Sequence, residues 1–111
     1  MKILIFSLIL LVLISGCTQQ IQPTPIQIDQ QAKNVCIDLC NSYKETENLD
    51  NGPCLSDNNK RWVIVDWVCD VAHSPRQTVD DLPENQCSAY REDKAHHFVE
   101  VDINCNFIQA I

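Results

Sequence analysis

The chain has 111 residues, with eight basic and fifteen acidic side chains and a net charge of −7 at pH 7. An acidic surface excludes the electrostatic footprint of a nucleic-acid-binding protein and direct adhesion to anionic lipid headgroups. A chain this short folds as one domain whose core alone leaves little surplus over chain entropy, so its seven cysteines carry structural weight.

The first residues read as an address. Lys2 precedes the apolar run 3–14, which contains one hydroxyl, Ser7. A membrane-spanning helix needs about 20 apolar residues, whereas an export-signal core needs about 7–15 behind a basic start. The run fits the signal. Ile14-Ser15-Gly16-Cys17 follows, an aliphatic residue and two small ones before a cysteine. It resembles the lipobox of bacterial and archaeal lipoproteins. The resemblance implies that residues 1–16 are a signal peptide and that the Cys17 thiol accepts a diacylglyceryl or similar lipid. It places the mature protein on the extracytoplasmic face of the cell membrane. Each buried CH₂ of such a chain contributes about 0.8 kcal/mol, so the membrane is the expected first partner. Residues 17–28 are rich in Gln and contain Pro23 and Pro25. They read as a semi-rigid extended tether to a domain at 29–111.

From Asp29 to Asn48, Ala32, Val35, Cys36, Leu39, Cys40 and Tyr43 recur at i, i+3, i+4 and i+7. This spacing predicts an amphipathic helix with both cysteines on the buried stripe, Asp29 as its N-cap and Gly52 in the turn beyond it. Once Cys17 is set aside, Cys36, Cys40, Cys54, Cys69, Cys87 and Cys105 remain. An even number in a small exported domain reads as three disulfides. No C-x₂-C pair of the kind that holds zinc or iron–sulfur centres occurs. On a helix, i and i+4 Cβ atoms lie about 5–6 Å apart, whereas a disulfide needs about 3.5–4.5 Å. Cys36 and Cys40 must therefore each bond another element.

Two strands are predicted, at 61–69 and 96–105. The first alternates Val63, Val65, Trp67 and Cys69 against Trp62, Ile64, Asp66 and Val68. The second sets Val99, Val101, Ile103 and Cys105 against Phe98, Glu100, Asp102 and Asn104. The expected fold is α+β: one helix packed on a small antiparallel sheet, stapled by disulfides. Cys36 and Cys40 pair with Cys69 and Cys105 in some order, leaving Cys54 with Cys87. The C-x₃-C helix bonded to a sheet resembles the cysteine-stabilised αβ scaffold of defensins and scorpion toxins in construction, without their C-x-C strand. Through Gly52-Pro53-Cys54-Leu55-Ser56, Cys69-Asp70-Val71-Ala72-His73-Ser74-Pro75-Arg76-Gln77, Leu82-Pro83-Glu84-Asn85-Gln86-Cys87 and His97-Phe98-Val99-Glu100-Val101-Asp102, most of residues 30–108 is similar to small uncharacterised secreted or lipid-anchored archaeal proteins. That similarity implies an address and no activity.

Candidate sites follow from residue type. The long segment between Cys69 and Cys87 holds His73, Arg76, Asp80, Asp81 and Glu84, and segments of this length in compact domains are often functional. Trp62 lies opposite Trp67 on its strand, which leaves an apolar patch of Trp62, Ile64 and Val68 that either a third strand or loop covers or a protein partner docks on. Asp66, His73, His96, His97, Glu100 and Asp102 form a carboxylate and imidazole group suited to a metal or small ligand, though without the spacing of a known metal motif. No nucleophile stands in a catalytic context such as G-x-S-x-G. The sequence therefore predicts a membrane-tethered binding or interaction module, with ligand capture as the alternative. It implies neither an enzyme nor a resident cofactor.

Overall fold

The computed structural model describes residues 15–111. The segment 1–14, on which most of the export-signal reading falls, lies outside the described residues. Among the described residues no helix is long and apolar enough to cross a membrane.

Helix α1 spans Pro25–Lys44, and its N-cap is Thr24, five residues before the Asp29 cap predicted. Thr24 Oγ1 accepts the Gln27 N–H at 3.4 Å and Gln27 Oε1 accepts the Thr24 N–H at 3.0 Å. This reciprocal cap, with Pro25 pre-set in φ at the first helical position, turns the end of the expected tether into the first turn of the helix. The stripe Ala32, Cys36, Leu39 and Cys40 is buried, as the spacing predicts.

Strands β1 (Trp67–Val71), β2 (His97–Val101) and β3 (Phe107–Ala110) form one sheet in the order β1-β2-β3. The sheet is mixed. β1 and β2 run parallel, with Trp67 opposite His97 and Val71 opposite Val101, while β2 and β3 are antiparallel. Strand alternation looks the same for either direction, and direction is set by the path of the connection. Here residues 72–96 cross the far face of the sheet, carrying the short helix α2 (Ser88–Arg91), and re-enter at the same end. The free edge of β1 is covered by residues 53–55: the Leu55 N–H reaches Cys69 O at 2.8 Å and the Val71 N–H reaches Pro53 O at 3.1 Å.

The first predicted strand is shorter than its apolar alternation suggests. Asp66 adopts φ 69° and breaks the extended run, so residues 61–66 form a turn with Val63 and Val65 exposed at 75% and 86%. Trp62 and Ile64 fold back onto the same core as Trp67, and Trp62 Nε1 donates to Trp67 O at 2.8 Å. The second-face patch expected around Trp62 therefore does not form. The second strand also ends early. Asp102 Oδ1 accepts the N–H groups of Asn104 and Asn106, and Cys105 takes φ 65°, which makes a turn into β3 instead of a continuation.

α1 lies on the face that carries Trp67, Cys69, Val71, Val99 and Val101. Two bridges fix it there, Cys36–Cys69 and Cys40–Cys105, with Cα separations of 5.4 and 5.6 Å. The third, Cys54–Cys87, ties the 53–55 edge to the crossing segment on the opposite face. The fold is thus α+β with a helix on a sheet and three disulfides, and Cys36 and Cys40 bond the sheet side instead of each other. Gly52 adopts φ +63°, and a Cβ built there falls onto Asp80 Oδ1 and 2.9 Å from Val71 O. Gly52→Ala is expected to cost about 3 kcal/mol, from backbone strain and overpacking together, measured by urea unfolding.

Candidate functional site

The crossing segment is held by charge. Asp80 is 1% exposed, and its carboxylate accepts the His73 N–H at 3.0 Å, His73 Nδ1 at 2.9 Å and the Gln77 N–H at 2.8 Å. Burial pushes its pKa up, but the Gln77 and His73 hydrogen bonds outweigh that and hold it below the ordinary carboxylate value. Arg76 reaches in three directions: Nε to Asp81 at 2.8 Å, one terminal nitrogen to Glu100 at 3.0 Å and the other to the Asp80 carbonyl at 3.3 Å. Its bond to Glu100 pins the segment to the centre of β2. The sequence-predicted pair His73 and Arg76 is thereby placed, His73 as a brace for Asp80 and Arg76 at the rim of a pocket.

That pocket is a recess of about 480 Å³ on the sheet face away from α1. Alternation along β1 and β2 puts Val68, Asp70, Phe98 and Glu100 on its floor, and β3 adds Gln109. The crossing segment walls it with Arg76, Gln86, Tyr90 and Arg91. Tyr90 and Phe98 meet edge to face, ring centroids 5.1 Å apart, so the apolar part of the recess is a formed corner. Arg91 forms no ion pair among the described residues, and its guanidinium donates to Pro83 O at 3.4 Å.

Asp70 is the unusual member. In the parallel register it lies directly beside Glu100. Its Oδ1 is buried without any hydrogen-bond partner, a situation that costs about 1–3 kcal/mol per group. Burial first, and the neighbouring Glu100 carboxylate second, push its pKa from 3.8 to about 8, against the partial relief of Arg76. At neutral pH Asp70 is therefore a carboxylic acid. Glu100 is matched to Arg76, Asp70 is neutral, and Arg91 on the wall has the adjacent Glu92 carboxylate as its nearby opposite charge.

The other sequence-predicted residues divide among separate places. Asp66, His96 and His97 do come together at the entry to the sheet: Asp66 Oδ1 accepts from His96 Nδ1 at 2.6 Å and its other oxygen lies 3.6 Å from His97 Nε2. The His96 hydrogen bond lowers the Asp66 pKa. The His97 ring stacks on Trp67, centroids 4.8 Å apart, which gives it a packing role. Asp102 caps its own turn and, with His73 and Arg76, borders a smaller recess of about 360 Å³. Glu100 belongs to the main pocket. The proposed six-residue metal group is thus spread over three sites. Among the described residues, one group of three donors lies close enough to share an ion: Cys54, Asp70 and Cys87, all within 4.8 Å. Two of its members are joined as a disulfide, which leaves no thiolate for a metal.

Sequence reasoning passed over Asp70, Tyr90, Arg91 and Phe98 as site residues. A signal for Asp70 was present. It is a lone carboxylate in the run Val68-Cys69-Asp70-Val71-Ala72, where both faces of a strand are otherwise apolar. Comparison with protein-family models, with curated proteins and with solved structures finds no match to this chain.

Proposed function

We propose that this chain is a lipid-anchored extracytoplasmic protein whose disulfide-stapled domain captures a small organic carboxylate in the recess on the outer sheet face. The lipobox-like Ile14-Ser15-Gly16-Cys17 supports the address, and Cys17 is exposed and free, eight residues ahead of α1. The observation that carries the capture reading is the recess itself. Arg91, without an ion pair among the described residues, lines the same recess as Asp70, a neutral carboxylic acid, and the Tyr90–Phe98 corner. A guanidinium with free donors is the side chain best shaped for a carboxylate. Gln86 and Gln109 add amide donors and acceptors for the rest of a polar small molecule.

The test begins with the membrane-extracted protein. Its intact mass is expected to lack residues 1–16 and to carry lipid on Cys17. Titration with a panel of amino acids and simple carboxylates, followed through the ring resonances of Tyr90 and Phe98, is expected to give saturable shifts with at least one member. Arg91→Ala is expected to weaken that binding about tenfold, the loss of one charge-assisted contact. Absence of shifts across the panel, or unchanged affinity in Arg91→Ala, overturns the capture reading.

A further inference from the structure

The same recess borders a bond that can react. Cys87 lines it, and Cys87 is bonded to Cys54. Cys54 is the antiparallel bridge partner of Asp70, so the two side chains share one side of the sheet edge. Both sulfurs and an Asp70 carboxyl oxygen lie within 4.8 Å of one another. Ser56 completes the group: its hydroxyl accepts the Cys69 N–H at 3.0 Å and stands 3.4 Å from the Cys54 sulfur and 3.6 Å from that of Cys87. The two bridges on the helix side, Cys36–Cys69 and Cys40–Cys105, border no such recess and have no carboxyl in a comparable group among the described residues.

We propose that the carboxylate captured in the recess also bears a thiol, and that it exchanges onto the Cys54–Cys87 bridge with Asp70 supplying the proton to the departing sulfur. This inference rests on the capture reading of the same pocket. The incoming thiolate attacks Cys87 Sγ and a new S–S bond forms between them. The Cys54–Cys87 bond breaks, and its electron pair leaves on Cys54 Sγ. The carboxyl proton of Asp70 moves to that sulfur. The products are a mixed disulfide on Cys87, a Cys54 thiol and an Asp70 carboxylate. The incoming sulfur is oxidised and Cys54 is reduced, so no outside oxidant enters. In reverse, Asp70 takes the proton back from Cys54, the Cys54 thiolate attacks Cys87 Sγ, and the ligand leaves as its thiolate.

The chemistry is matched in three respects. Proton transfer is most effective when donor and acceptor have similar pKa values near the working pH. Asp70, at about 8, stands close to an ordinary thiol at about 8.5. The Ser56 hydroxyl can donate to whichever sulfur carries developing negative charge. Arg91 draws in the anionic thiolate and holds its carboxylate. Opening this bridge leaves the helix-to-sheet bridges closed, so the core stays assembled while the ligand is held covalently.

The experiment uses the oxidised full-length protein with L-cysteine as probe, acid quenching, maleimide alkylation and peptide mass mapping. A single cysteine adduct is expected on Cys87, with maleimide on Cys54. The rate per thiolate is expected to fall about tenfold between pH 7 and pH 9 as Asp70 gives up its proton, a readout that needs no variant. At pH 7, Asp70→Asn is expected to react about 10²-fold more slowly. Adducts spread evenly over all three bridges, no adduct on Cys87, or a rate per thiolate that does not change with pH overturns the exchange. S-methylcysteine, which has the carboxylate but no free thiol, separates the two levels. If it shifts the Tyr90 resonances while L-cysteine leaves Cys87 unmodified, exchange falls and capture stands. If it fails to compete with L-cysteine, capture falls and takes directed exchange with it.

Discussion

Asp70→Asn is expected to make the domain more stable at pH 7 by several kcal/mol, on the order of 2–4, and to remove a pH dependence that the unaltered protein shows. The unfolded chain ionises Asp70 near 3.8, whereas the folded protein keeps the proton to about 8. Between those values the unfolded state binds fewer protons than the folded one, so stability falls as pH rises. The slope is about 1.36 kcal/mol per pH unit from this group, and it levels off above the folded pKa. Asparagine has the same shape and never ionises, so the slope disappears. Asp80 acts in the opposite sense and in another window. Its depressed pKa stabilises the fold above the ordinary carboxylate value, and that contribution is lost as pH falls through its folded pKa. The two windows meet near the ordinary carboxylate value, at about pH 4, where the unaltered domain is expected to be most stable. Urea midpoints at pH 5, 7 and 9 check this. A midpoint that does not fall from pH 5 to pH 7, or an Asp70→Asn variant with the same profile, contradicts the assignment of Asp70 as a neutral acid.

The second large effect concerns the staples. Cys40→Ser with Cys105→Ser opens a loop of 65 residues, and Cys54→Ser with Cys87→Ser opens one of 33. The chain-entropy relation gives about 4.3 kcal/mol for the longer loop and about 3.7 for the shorter. Against a total stability of about 5–15 kcal/mol for a domain of ordinary size, either loss is large. The longer loop carries a further consequence, since Cys40 is one of only two covalent holds on α1. Loss of Cys40–Cys105 is expected to abolish cooperative thermal unfolding before loss of Cys54–Cys87 does. Calorimetry on the two double variants, with the remaining bridges formed, decides the order. The reverse order would mean that the outer-face bridge holds the sheet together more than its loop length implies.

The parts of the fold legible in the sequence are those set by local period. Six positions at helical spacing, Ala32 to Tyr43, placed α1, and the Cβ separation between Cys36 and Cys40 forced both cysteines outward to other elements. What stayed hidden depends on single backbone turns and on distant contacts. Trp62-Val63-Ile64-Val65-Asp66-Trp67 alternates like a strand, yet one residue at positive φ, Asp66, divides it, and the Asp66 carboxylate is held there by the His96 N–H thirty residues away. β3 escaped notice because Cys105, read as the end of a strand, sits at the turn that starts it. The pocket was illegible for the same reason as the sheet direction. Asp70 becomes the neighbour of Glu100 through the parallel register of β1 and β2, and alternation along either strand fixes neither direction nor register. Arg91 and Tyr90 reach that face only because the connection crosses it.

The early start of α1 changes the mechanics of attachment. With the helix beginning at Pro25, the non-helical stretch between Cys17 and α1 shrinks to residues 18–24. Fully extended at about 3.5 Å per residue, that leash reaches roughly 25 Å. In the lipid-anchored form proposed above, so short a length would keep the domain within a small hemisphere above its anchor. The reciprocal hydrogen bonds between Thr24 and Gln27 therefore set a working distance. Lengthening the leash lets the domain travel farther and lowers the frequency of each encounter near its own anchor.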